Sequence, residues 1–291
     1  MSVRLRRGLA LLATLACSKP VPPPAATVVV DDAGDSVAVR TPAHRVVSLI
    51  PATTELLFAI GAGADLVGRS TWCDYPAAAA RVPDLGDGIN PNVEAILATR
   101  PDLVVLYNSA QHAAVAARLR GLGIPTLRIN TDRLADVGRV GHLLGRLTGR
   151  TRAADSLSAV FDTALAAATV SAPERHRPTV LLLVWEQPPM TIGRGSFLNE
   201  LVERAGGANL FADIAASAGP VSIEAVAARD PDFIFTTTDG PVSFARRPEW
   251  QVVRAVREHR FLRVTGSEFN RPGPRSPAAI RELAARLRPA S

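Results

Sequence analysis

Four short segments of the chain place aromatic, amide and charged side chains just after predicted strands, where α/β proteins commonly bind small molecules. These segments are residues 72–76, 107–108, 185–189 and 269–271. The chain has only three Trp and two Tyr, and two of the Trp and both Tyr fall in these segments. Such rings can stack on a flat ligand. The predicted ligand-binding residues are Trp72, Cys73, Tyr75, Tyr107, Trp185, Phe269, Asn270 and Arg271.

Each of these residues has a structural alternative. An aromatic side chain at such a position can cap the core of its lobe instead of contacting a ligand. A lone cysteine such as Cys73 can contact a metal, although a small buried thiol is the more usual role. His112 is predicted to be a surface loop residue rather than an axial ligand.

No catalytic motif is recognisable in the sequence. The Gly61–Gly63 segment follows a predicted helix and lacks the third glycine of a dinucleotide loop. Gly195-Ser196 is not the centre of a nucleophile elbow, and the five His include no pair at zinc-ligand spacing. We therefore predict a binding protein rather than an enzyme, with no catalytic residue, no metal site and no resident cofactor.

An internal repeat relates the two halves of the chain. Residues 93–105 align without gaps to residues 223–235, with Glu, Ala, Ala, Pro and Asp coinciding. Each copy has the pattern of a short helix, a Pro-Asp break and a buried strand. Two copies in the same order predict two related lobes with a binding cleft between them.

The repeat also carries a pair of glutamates. Asn92 and Ser222 are predicted helix N-caps, which places Glu94 and Glu224 in the first turn of each helix. A carboxylate there complements the helix dipole by about 0.3–1 kcal/mol. On two related lobes the same pair can also dock on arginines of a dimeric partner. The residues alone leave these two interpretations equal.

Strand and helix patterns alternate along the chain, which predicts parallel sheets covered by helices. Residues 45–50 have the pattern of a buried strand, and Thr53 or Thr54 is predicted to cap a helix that ends at Gly61. Residues 151–169 contain neither Gly nor Pro and predict one helix of about 20 residues, near 30 Å long. The predicted fold is therefore α/β, with two related Rossmann-like lobes joined by a single long helix.

This organisation gives the expected boundaries of the mature chain. The N-terminal lobe is predicted over residues 27–147, the connecting helix over 148–173 and the C-terminal lobe over 174–291. No run after the N-terminal segment approaches the roughly 20 apolar residues of a membrane helix.

The N-terminus has the pattern of a targeting segment. Residues 1–16 combine a basic start with a short apolar stretch and are predicted to be a signal peptide. The sequence Thr-Leu-Ala-Cys at 14–17 resembles the lipobox of bacterial lipoproteins, so Cys17 is the predicted lipidation site. Residues 17–26 then form a Pro-rich tether. The alternative is an ordinary secretory signal with an incidental cysteine.

Charge gives no indication of a nucleic-acid partner. The formal net charge is +6, and removing Arg4, Arg6 and Arg7 with the signal peptide leaves 6 − 3 = +3. No basic run is interleaved with aromatic residues, so nucleic-acid binding is not expected.

Several motifs resemble one known family. Residues 45–56 (RVVSLIPATTEL), 73–76 (CDYP), 90–94 (NPNVE) and 205–211 (AGGANLF), with the second Glu-bearing repeat, look like the periplasmic cobalamin-binding proteins of ABC importers. The resemblance covers roughly residues 27–288. The order and spacing of the motifs are typical of the wider superfamily that binds iron-siderophores, haem and cobalamin.

The resemblance implies a function and its partners. It implies a cobalt corrinoid as ligand, held near Tyr75, Tyr107, Trp185 and the segment 269–271. It implies an ABC permease dimer whose arginines receive Glu94 and Glu224, which favours docking over the dipole interpretation. The protein is then expected to be an extracytoplasmic monomer, attached to the membrane only through its N-terminal lipid.

One difference from the family pattern leaves alternative ligands to be considered. Ser267 stands where an Asp contacts ligand in some relatives, so haem or a ferric siderophore is an alternative ligand for the same cleft. A haem site would need an axial ligand, for which Tyr75, Tyr107 and His112 are candidates. A tetrapyrrole-modifying enzyme is a further alternative, and it would need an acid–base pair facing the cleft.

Overall fold

The computed structural model describes residues 26–171, 177–237 and 242–287. The predicted signal peptide and lipidation site at Cys17 lie outside the described residues, as does the tether up to residue 25. Within the three described ranges, no helix is long and apolar enough to cross a membrane.

The N-terminal lobe combines a β-hairpin with a four-stranded parallel sheet. The strand order in the sheet is β4-β3-β5-β6, and helices connect the strands as predicted. The elements in chain order are β1 (Ala26–Val30), β2 (Ser36–Arg40), β3 (Val46–Ser48), α1 (Pro51–Ala59), β4 (Leu66–Arg69), α2 (Val93–Ala98), β5 (Leu103–Tyr107), α3 (Ala110–Gly121), β6 (Thr126–Ile129) and α4 (Asp136–Leu147).

The connecting helix is α5, which spans Thr151–Ala168. Its 18 residues correspond to about 27 Å at 1.5 Å per residue. It packs against α4 of the first lobe and α9 (Ser276–Leu287) of the second. The helix is therefore slightly shorter than predicted, and it touches both lobes.

The C-terminal lobe has a mixed sheet. Strands β9, β7, β11 and β12 run parallel, whereas β8 pairs with β7 and β10 pairs with β8, both in antiparallel order. The elements are β7 (Thr179–Glu186), β8 (Pro189–Ile192), α6 (Phe197–Arg204), β9 (Ala208–Asn209), β10 (Ala218–Pro220), α7 (Ile223–Arg229), β11 (Phe233–Thr236), α8 (Arg254–Arg257), β12 (Phe261–Arg263) and α9 (Ser276–Leu287). The predicted parallel sheet is present in this lobe, and the antiparallel strands are added to it because residues 187–188 turn the chain directly back into β8.

The start of α1 also differs from the prediction. Pro51 occupies the first turn, where its fixed φ suits a helix and its missing N–H costs nothing. Thr53 and Thr54 lie buried inside the helix, and their hydroxyl groups bond to the hydroxyl of Ser48 at 2.6 and 2.9 Å. Gly61 follows the helix with φ of 78°, which confirms the predicted end.

One hydrophobic cluster extends through both lobes. It includes Val46 of β3, Phe161 of α5, Leu182 of β7 and Leu283 of α9. A smaller cluster lies wholly within each lobe. Because the main cluster is shared, buried apolar surface holds the two lobes in one relative orientation.

The internal repeat has the same structure in both lobes. The residue before each Pro-Asp pair has a left-handed backbone, with φ of 48° at Arg100 and 45° at Asp230. The Asp102 carboxylate accepts the backbone N–H of Arg45, at the start of the neighbouring strand β3. The Asp232 carboxylate likewise accepts the backbone N–H of Thr179, the first residue of β7. Each Asp therefore fastens its strand to the adjacent one.

Candidate ligand cleft

Two adjoining cavities lie at the carboxyl ends of the strands of the first lobe. The cavity within that lobe has a volume of about 400 Å³, and the cavity between the lobes about 510 Å³. They share Ile50, Pro51 and Trp72, so together they form one cleft. Residues that follow β3, β4, β5 and β6 line it, and Thr265 and residues after it supply the opposite wall. This is the position at which open parallel sheets bind ligands.

Tyr107 stands at the end of β5 and is fixed by a carboxylate. Its hydroxyl donates a hydrogen bond to Asp132 at 2.8 Å. Burial, together with this hydrogen bond, raises the pKa of Tyr107 from 10.0 to about 12. The phenol therefore stays neutral and presents an aromatic wall to the cleft.

The two exposed tryptophans have different environments. Trp72 is 61% exposed and lines both parts of the cleft. Trp185 is 62% exposed, lies within β7 rather than after it, and lines neither part. Its indole N–H donates to the carbonyl of Gln187 at 2.8 Å. Of the two, the structure brings only Trp72 into the cleft.

A network of charged side chains crosses from one lobe to the other beside the cleft. Glu55 of α1 is buried, and its carboxylate accepts from Arg271 Nε at 2.6 Å and from Arg275 at 2.7 Å. Arg271 also pairs with Asp74 of the first lobe, and Arg275 pairs with Glu268 of its own lobe. Burial opposes ionisation of Asp74, but the hydrogen bond from Arg271 prevails and holds its pKa below the ordinary value.

Tyr75 belongs to the same network. The guanidinium carbon of Arg275 lies 3.9 Å from the centre of the Tyr75 ring, which is a cation–π arrangement. The ring is partly exposed but does not line either part of the cleft. Tyr75 is therefore connected to the cleft only through the charged network. Asn270 and Arg271, by contrast, line the cavity between the lobes.

Two of the predicted ligand-binding residues lie in the interior. The Cys73 thiol has no exposed surface and accepts a hydrogen bond from Thr54 at 3.1 Å. Phe269 is also buried and packs its ring edge-on against Phe235, with centroids 6.3 Å apart. Neither side chain offers surface to a ligand in this arrangement, so each supports the wall of the site rather than lining it.

His112 is held between two backbone carbonyls. It is 6% exposed, and its ring nitrogens lie 2.9 Å from the carbonyl oxygen of Tyr107 and 3.1 Å from that of Ile89. The residue was predicted to sit in a surface loop, and this was wrong, because it lies inside α3 with its ring turned inward. Each nitrogen therefore lies against a backbone oxygen of the protein.

The two repeat glutamates occupy matching exposed positions. Asn92 accepts the backbone N–H of Ala95, and Ser222 accepts that of Ala225, which confirms both predicted caps. Glu94 forms a surface ion pair with Arg118 at 2.9 Å. Hydrogen bonds at the helix start, from its own backbone N–H and from Ser222, lower the pKa of Glu224. Both carboxylates are directed away from the core.

Comparison with known proteins identifies the family. The profile described as periplasmic binding protein matches residues 46–267, which is most of the chain. The chain belongs to the periplasmic binding protein family. A Bacillus subtilis protein described as an uncharacterised ABC transporter substrate-binding lipoprotein is 32% identical over 90% of this chain and 86% of its own length.

Two solved structures show the periplasmic binding protein fold with different named ligands. The vitamin B12-binding protein BtuF of Vibrio cholerae is 26% identical, with a TM-score of 0.69 over 84% of this chain and 97% of its own. A periplasmic haem-binding protein of Pseudomonas aeruginosa is 25% identical, with a TM-score of 0.73 over 86% of this chain and 95% of its own. The two-lobed α/β fold inferred from sequence is thereby confirmed.

Four charged residues of the site were missed at the sequence level. They are Glu55, Asp87, Asp132 and Arg275. Only Glu55 had a recognisable signal, since it is the sole charge in the apolar and hydroxyl-bearing helix 51–59. A single charge in such a helix requires a partner when it is buried.

Proposed function

We propose that this protein is the substrate-binding component of an ABC importer and that it carries cobalamin or a related corrinoid in the cleft between its lobes. The observation that carries the proposal is the neutral aromatic wall that Trp72 and Tyr107 present to the cleft. A flat macrocycle can stack on such a wall. The vitamin B12-binding relative supports this choice of ligand.

The three candidate axial ligands for haem differ in whether their donor atoms are engaged among the described residues. Tyr107 donates to Asp132, and Tyr75 lies under the Arg275 guanidinium. The two ring nitrogens of His112 each lie within hydrogen-bonding distance of a backbone carbonyl oxygen. Ligation of haem iron by Tyr107 or His112 would first require these contacts to break, whereas the contact of Tyr75 is made through its ring face and not through its hydroxyl oxygen. Haem remains the second candidate because the Pseudomonas aeruginosa haem-binding protein has the same fold.

The test is a titration of the purified protein with cyanocobalamin, dicyanocobinamide, haemin and a ferric siderophore, followed by absorbance and calorimetry. We expect a corrinoid to bind more tightly than about 10 µM, which corresponds to roughly −7 kcal/mol. Haemin or a siderophore binding in that range while both corrinoids fail would replace the proposal with the second candidate.

We further propose that Glu94 and Glu224 dock on paired arginines of the permease. The two carboxylates are exposed, lie at equivalent positions of the repeat and stand in the first turn of helices of the same kind. A dimeric partner with one arginine on each subunit would match this arrangement. The helix-dipole role is compatible with docking, because both require an ionised carboxylate at the helix start.

Attachment to the membrane through Cys17 completes the proposed assembly. The sequence around Cys17 and the Pro-rich stretch after it are the features that support a lipid anchor. A mass spectrum of the mature protein should show a diacylglycerol-modified Cys17 as the first residue. An unmodified N-terminus cleaved elsewhere would contradict the anchor and leave the ligand proposal intact.

A further inference from the structure

The charges that line the cleft are mostly negative. Among the described residues of the two cavities, Asp74, Asp87 and Asp132 supply carboxylates, and Arg271 supplies the one guanidinium. All three carboxylates belong to exposed residues of the first lobe. An anionic ligand would therefore enter a site whose lining already carries excess negative charge.

The guanidinium of Arg271 is not free to balance an incoming anion. Its Nε donates to Glu55, and its terminal nitrogen pairs with Asp74. Arg275 behind it is likewise engaged, with Glu55 and Glu268. These pairings leave the lining without an unpaired guanidinium in the described part of the chain, whereas an exposed ligand carboxylate is normally met by one.

Asp87 and Asp132 can accept hydrogen bonds from a ligand, because neither is paired with a guanidinium among the described residues. Asp87 is fixed by the backbone N–H groups of Asn90 and Ile89, at 2.9 and 2.8 Å, which hold its pKa below the ordinary value. Asp132 accepts the phenol hydrogen of Tyr107 on one oxygen. An ionised carboxylate has no donor of its own, so its best ligand partner is an N–H group.

From these contacts we infer that the cleft selects a macrocycle whose rim carries amides, and rejects the same macrocycle carrying carboxylates. Asp87 and Asp132 are the specificity-determining residues, because they line the cleft without a guanidinium partner among the described residues. Amide side chains donate to these oxygens, whereas ligand carboxylates are repelled by them. The inference rests on the proposed corrinoid-binding function and names the ligand chemistry that the site distinguishes.

Two corrinoids with the same ring test this selectivity. Dicyanocobinamide carries amide side chains, and dicyanocobyrinic acid carries carboxylates in their place, while the axial ligands are identical. At low ionic strength and neutral pH we expect dicyanocobinamide to bind at least about tenfold more tightly. The ratio should shrink as salt is added, because screening weakens the repulsion.

The residue assignment is tested with the double variant Asp87→Asn/Asp132→Asn. Each Asn keeps an oxygen that can accept the same local hydrogen bonds but removes a negative charge. We expect the preference to fall to about threefold or less, chiefly through tighter binding of dicyanocobyrinic acid. The matched control is Asp155→Asn on α5, which removes a charge outside the cleft and should leave the preference unchanged.

The outcomes separate this inference from the proposed function. Equal binding of the two corrinoids by the natural protein would overturn the selectivity and leave corrinoid binding established. An unchanged preference in the folded double variant would overturn the roles of Asp87 and Asp132. If neither corrinoid binds, the proposed function itself is refuted.

Discussion

Arg271, which follows β12 in the C-terminal lobe, donates from its Nε to the buried carboxylate of Glu55 in the N-terminal lobe at 2.6 Å. The two residues are 216 positions apart in the sequence. Arg275 joins them, so two guanidinium groups share one carboxylate whose side chain is 2% exposed. The contact ties the orientation of the lobes to residues that line the cleft.

Removal of this central charge should destabilise the protein strongly. Glu55→Gln would leave two partly buried guanidiniums without their shared counter-charge, at a cost of about 3 kcal/mol. Urea unfolding followed by circular dichroism measures the change. Glu282→Gln is the control, since it breaks only the exposed pair with Arg286 and should cost less than about 0.5 kcal/mol. Similar midpoints for the two variants would show that the interlobe pair contributes little.

The phenol of Tyr107 should ionise unusually late. Its pKa is raised from 10.0 to about 12, so alkaline titration by ultraviolet absorbance should show one of the two tyrosines ionising near pH 12. Tyr107→Phe should remove that transition, and Asp132→Asn should move it towards pH 10, because the charged acceptor is lost. Two tyrosines that both titrate near pH 10 in the folded protein would contradict the Tyr107–Asp132 hydrogen bond.

The raised pKa of Tyr107 also predicts how the stability of the folded protein changes at high pH. The folded state disfavours the phenolate, so the contribution of Tyr107 is complete below its unfolded pKa of about 10. It is lost as the pH rises from there through 12, the folded value. The unfolding free energy of the natural protein should therefore fall more steeply over this window than that of Tyr107→Phe, which has no phenol at that position.

The two exposed tryptophans offer a matched comparison of ligand contact. Trp72 and Trp185 are almost equally exposed, at 61% and 62%, but only Trp72 lines the cleft. Trp72→Ala should weaken corrinoid binding by about tenfold, because a stacking surface is removed. Trp185→Ala should change the affinity less than about twofold. Calorimetry with dicyanocobinamide measures both, and the reverse order would move the ligand towards the β7–β8 turn.

The docking role of the glutamates predicts a loss of transport without a loss of binding. Glu94→Ala combined with Glu224→Ala should reduce uptake of labelled cobalamin by whole cells, while the affinity measured on the purified protein stays the same. The control pair is Glu249→Ala with Glu282→Ala, one exposed and one partly exposed glutamate outside the repeat. If the double variant at 94 and 224 binds the corrinoid more weakly, or transports it normally, the docking role is wrong.

Much of this fold could be predicted because its signals are local. The caps at Asn92 and Ser222 and the Pro-Asp repeat each depend on hydrogen bonds or apolar spacing within a few residues. The repeat also indicated two lobes, since the same supersecondary unit occurs twice. The start of α1 was misplaced because Thr53 and Thr54 have the residue type of a cap but turn inward to Ser48.

The site depended on contacts that no local pattern specifies. From the sequence, Trp72 and Trp185 were both predicted to contact the ligand. Only the tertiary structure distinguished them, because Trp72 lines the cleft and Trp185 does not. It likewise buried Cys73 and joined Glu55 to Arg271 across the lobes. Backbone hydrogen bonding and hydrophobic period are encoded in neighbouring residues, so the sequence alone determined the elements, their order and the duplication. The charge of a cleft depends on which distant side chains meet, and this is decided only when the two lobes pack together.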